Sequence, residues 1–79
     1  MLLPKEFDRI TVDPQICMGH PTIRGLRYTV AFVLKLLASD MSKSEILQAY
    51  PELEMEDLNQ TLKYAAWLAN EEIRPLKVA

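Results

Sequence analysis

Two glycines, one cysteine, one histidine and one tryptophan are all that 79 residues hold of those types. A lone cysteine excludes an internal disulfide. The Cys17-x-x-His20 pair supplies only two of the four ligands a structural zinc ion wants, so no metal is expected. Catalysis is equally short of parts: Cys17, His20 and Asp13 can be drawn as nucleophile, base and orienter, but so small a chain has little with which to enclose them. Neither an enzyme nor a cofactor is expected. No apolar run is long enough to span a bilayer, since the longest, Tyr28 to Leu37, is interrupted by Lys35. Met1-Leu2-Leu3-Pro4 is broken too early to act as a secretory signal, which argues for a cytoplasmic protein with no membrane partner.

What the chain has in quantity is apolar side chains, 49% of its residues. That excludes disorder, and it is more than so small a core readily hides, so a homodimer is expected. The net charge of −2 speaks against a general nucleic-acid coat, but the charge is uneven: residues 1–29 carry +1, residues 30–54 carry −2 and residues 55–79 carry −1. The basic end is the N-terminal one.

Both glycines and two of the five prolines fall between Asp13 and Thr29, so this stretch must be a shaped loop rather than a helix. Within it, Thr22-Ile23-Arg24 and Leu26-Arg27-Tyr28 are short extended pieces that set Arg24 and Arg27 on either side of a glycine turn, with Ile23 and Leu26 free to face inward. Upstream, Ile10-Thr11-Val12 alternates before Asp13-Pro14 stops it, which predicts a short strand able to pair with Thr22 to Arg24 or with its own copy in a second subunit. The chain divides into a flexible arm over 1–8, one domain over 9–73 and a tail over 74–79.

The loop with its Gly-x-Pro-x-Ile-Arg-Gly-x-Arg core, continued through Val30 to Ser42 and the Ile46-Leu47, Tyr50-Pro51, Leu53 and Glu56-Asp57-Leu58 positions, resembles the bacterial domain-of-unknown-function family 433 (DUF433). The resemblance implies a small helical, homeodomain-like protein and an antitoxin of a type II toxin-antitoxin pair, binding a toxin protein and, with it, operator DNA. Three positions depart from the family pattern: Met18 and Asp40 where glycine is usual, and Glu54 where threonine is frequent.

Read residue by residue, the rest of the chain is helical. Thr29 is placed to cap a helix over Val30 to Ala38, apolar on two faces and therefore central; Asp40 is expected to end it in a strained left-handed conformation. Ser42-Lys43-Ser44-Glu45 is a capping box that opens a second, short helix ended by Pro51. A third helix runs from about Met55 to Glu72, with Met55, Leu58, Leu62, Ala65, Ala66 and Ala69 as its expected core face. The expected fold is mainly α, a three-helix homeodomain-like or helix-turn-helix bundle preceded by short N-terminal β-strands.

The surface can then be used in two ways. As a DNA binder, the chain would offer Lys5, Arg9, Arg24 and Arg27 to phosphates, with Lys43, Asn59, Gln60 and Lys63 beside them on the second and third helices, although the third helix opens with acids that repel phosphate. As a protein-interaction module without DNA contact, it would grip a partner's acids with the same arginines. The arginines can also close internally on Asp8 or Asp13. Ile10, Val12, Tyr64 and Trp67 are the candidate interface residues, Tyr64 and Trp67 alternatively covering the N-terminal strands.

Overall fold

The computed structural model describes residues 4–72, without the side chains of 71 and 72. The tail expected from residue 74 lies outside them. In chain order come β1 (Ile10–Thr11), a single 3-10 turn (Cys17–Gly19), β2 (Thr22–Ile23), α1 (Val30–Ala38), α2 (Lys43–Ala49) and α3 (Met55–Glu72). The strands pair antiparallel within the chain, Ile10 opposite Ile23 and Thr11 opposite Thr22, whose hydroxyls meet at 3.0 Å. The fold is mainly α, with this two-stranded sheet at its N-terminal side.

Local chemistry sets the helix starts. The Thr29 hydroxyl accepts from the Phe32 amide at 3.0 Å, and Ser42 and Glu45 form a complete capping box, with bonds of 3.1 Å and 2.7 Å. The end of α1 departs from expectation. Asp40 is not left-handed; Ser39 closes the helix instead, its amide and hydroxyl both donating to Leu36 O at 3.2 Å and 2.6 Å. Backbone strain sits in the loop, where Cys17, Met18 and Arg24 have φ of 50°, 57° and 48°. Met18 thus adopts the very conformation for which glycine is suited. Arg24 and Gly25 are the central residues of a turn closed by the Leu26 amide on Ile23 O at 2.8 Å, both at positive φ as a type I′ turn requires.

The three helices pack on one another around Ile23, Val33, Ile46 and Leu58, all fully buried, with Phe7, Ile10, Val30, Leu53 and Tyr64 completing the core. Two expectations change here. The inward face of α3 is Asp57, Leu58, Thr61 and Tyr64, whereas Leu62 and Met55 are 41% and 43% exposed. Hydrophobic periodicity misplaced this face because two polar residues, Asp57 and Thr61, are buried with their bonds satisfied inside the fold. Phe7, expected to lie in a flexible arm, is instead anchored: it is buried with its ring 5.4 Å from that of Tyr64, edge-on, and 5.5 Å from that of Trp67.

Candidate functional site

The chain's polar centre is the carboxylate of Asp57, which is fully buried and accepts four hydrogen bonds. Arg24 grips it as a two-point fork, Nε on Oδ1 at 3.1 Å and Nη2 on Oδ2 at 2.9 Å. Arg9 adds Nη1 on Oδ1 at 2.9 Å while also reaching Glu54 Oε1 at 2.8 Å. The fourth donor is the Glu54 amide, 2.8 Å from Oδ2, so Asp57 also performs the returning half of a capping box at the start of α3. A further bond, Arg24 Nη2 to Glu52 O at 2.7 Å, fastens the β2 turn to the connection before α3.

Burial by itself would push the Asp57 carboxyl up, but the bonds from Arg24, the Glu54 amide and Arg9 outweigh it and hold the group below its usual range. Glu54 and Asp57 in turn push the Arg9 guanidinium above its ordinary value, and Asp57 does the same for Arg24. The result is a clasp of two cations and two anions that ties the N-terminal segment and β2 turn to α3.

The eight expected binding residues therefore separate. Arg9 and Arg24 face inward on Asp57, not on Asp8 or Asp13. Gln60 holds the N-terminal segment, accepting from the Arg9 amide at 2.7 Å and donating to Asp8 Oδ1 at 3.1 Å. Lys43 Nζ donates to Asn59 Oδ1 at 2.9 Å, linking α2 to α3. Lys5, Arg27 and Lys63 remain exposed. Of the four expected interface residues, Ile10 and Tyr64 lie in the protein's own core, Trp67 is half-buried against Phe7, and Val12 is exposed. Burial also pushes the Tyr64 phenol up.

Asp57 itself was missed as a site residue. Its available signal was the Glu54-x-x-Asp57 spacing, which resembles a capping box with only its carboxylate half. The outward apolar features include Met18, 82% exposed on the strained loop, and a largely apolar groove of about 330 Å³ between α1 and α3, lined by residues including His20, Pro21, Val30, Leu34 and Leu68. Among the described residues no three His, Cys, Asp or Glu side chains converge to hold a metal ion, and no helix is long and apolar enough to cross a membrane.

The fold and clasp define a small three-helix protein in which a glycine-turn loop carrying Arg24 is locked onto the start of the last helix. The chain belongs to the family described as "Protein of unknown function (DUF433)", whose model matches residues 10–65 and so includes the loop, most of α3 and, of the clasp, Arg24, Glu54 and Asp57. It is similar to the crystal structure of a DUF433 member protein from Anabaena variabilis ATCC 29413, at 27% identity and a TM-score of 0.68, over 89% of this chain and 79% of that one. No curated protein matches it.

Proposed function

We propose that this protein acts by binding another protein in the cytosol, and that the partner is the toxin of a type II pair, as the family resemblance implies. The observation that carries the protein-binding reading is the clasp. Arg9 and Arg24, half of the basic N-terminal patch, have their charge matched by Asp57 and Glu54 and are not free to neutralise phosphates. The polar face of α3, which a helix-turn-helix protein would lay in a major groove, has Asn59 and Gln60 engaged with the chain itself and begins with the acid Glu56. Exposed Met18 and the α1–α3 groove offer apolar purchase of the kind protein interfaces use. Operator DNA is thus expected to be bound through the complex rather than through Arg9 and Arg24.

Two measurements test this. Labelled duplex from upstream of the gene, titrated with the protein alone at low salt, should show no binding. Co-expression with the product of the neighbouring reading frame should yield a complex that survives purification and relieves any growth arrest that product causes. Tight, salt-steep DNA binding by the chain alone would overturn the reading, as would a neighbour that neither associates nor arrests growth.

A further inference from the structure

Outside its inward face, α3 carries a second apolar row. Met55, Leu62, Ala66 and Ala69 are all exposed and recur at the intervals of seven, four and three that mark one seam of a coiled coil. One flank of this seam, Leu58 and Ala65, runs into the protein's own core side. The other flank carries Glu56 and Lys63, seven residues apart, both exposed, and in no ion pair among the described residues. Opposite charges one heptad apart along a single flank are self-complementary.

We propose that this seam binds a second copy of the chain, α3 against α3, in antiparallel orientation. The direction follows from the charges. In an antiparallel pair related by a two-fold axis, like flanks meet, so Glu56 faces Lys63 of the partner subunit and the contact is made twice. A parallel pair would set the charged flank against the Leu58 side and leave both charges unmatched. Setting Met55 level with Ala66 of the partner subunit brings Glu56 within two residues of Lys63 of the partner subunit, an axial offset of about 3 Å at the helical rise. Ala66 and Ala69 let the two backbones approach closely. This surface is distinct from the β-strand edge and from Tyr64, and it does not depend on what else the protein binds.

Sedimentation equilibrium of the full chain across the micromolar range tests the proposal. The parent should follow a monomer–dimer equilibrium. Leu62→Asp should be monomeric while keeping the parent's helical circular dichroism. Glu56→Lys and Lys63→Glu should each weaken the dimer on the order of tenfold, because two attractive contacts become repulsive, and the double reversal should restore it. If Leu62→Asp proves to unfold the chain, the charge series decides alone. A parent that stays monomeric throughout, single reversals without effect, or a double reversal that fails to restore association would each overturn it.

Discussion

Arg24 and Asp57, 33 positions apart, meet through two parallel hydrogen bonds of 3.1 Å and 2.9 Å, with the carboxylate fully buried and the arginine side chain one-third exposed. Arg24 reaches it from a left-handed backbone position, φ 48°, in a turn whose other central residue is Gly25. A bidentate guanidinium on a buried carboxylate is tolerable only when the remaining oxygen lone pairs are also filled, and here Arg9 and the Glu54 amide fill them.

Asp57→Asn should therefore destabilise the fold by about 3 kcal/mol, the lower end for breaking a buried pair, because both arginines can turn toward solvent. Arg24→Ala should cost less than Asp57→Asn, since Arg9 and the Glu54 amide still partner the carboxylate. Urea melts of the two variants beside the parent check the order; an Asp57→Asn protein as stable as the parent would show the clasp to be incidental.

The same group sets an acid limit. With its carboxyl held below the ordinary value, Asp57 contributes stability that is fully present above the unfolded-state pKa of about 4 and is lost as pH falls through the lower folded-state value. In that window the unfolded chain binds the extra proton, so stability must rise with pH. Thermal melts from neutral pH downward should show the parent losing more stability below about pH 4 than Asp57→Asn does. Parallel curves would contradict this.

Met18→Gly should stabilise the chain. Met18 is 82% exposed, so little packing is lost, while its φ of 57° suits glycine. Relief of a left-handed residue, about 1–2 kcal/mol, exceeds the cost of glycine's freedom in the unfolded chain, leaving a gain of up to about 1 kcal/mol. A lower melting temperature for Met18→Gly would mean that the side chain packs in solution.

Leu58 and Leu62, one helical turn apart, should behave differently. Leu58→Ala removes a fully buried side chain and should cost about 2–5 kcal/mol, whereas Leu62→Ala, at dilutions that keep chains apart, should cost about 0.5 kcal/mol. Equal losses would return Leu62 to the core.

Where each helix begins was legible because the signals are local. Thr29 lies three residues before the amide it caps, Ser42 and Glu45 cap one another across three residues, and Pro51 follows α2 closely, so no distant part of the chain can alter those choices. The loop between Asp13 and Thr29 was legible for the same reason: prolines fix φ and glycines permit positive φ whatever surrounds them.

Which face of α3 turns inward, and where the arginines point, only tertiary structure decided. Arg9 and Asp57 are 48 positions apart, and nothing near either one in the sequence names the other. Hydrophobic periodicity assigns Asp57 and Thr61 to solvent because it scores a polar residue by its cost in water-free surroundings, blind to partners that remove that cost. Once Arg24, Arg9 and the Glu54 amide supply those partners, burying Asp57 becomes tolerable, α3 turns Leu62 and Met55 outward, and Arg9 and Arg24 of the basic N-terminal patch close onto the fold.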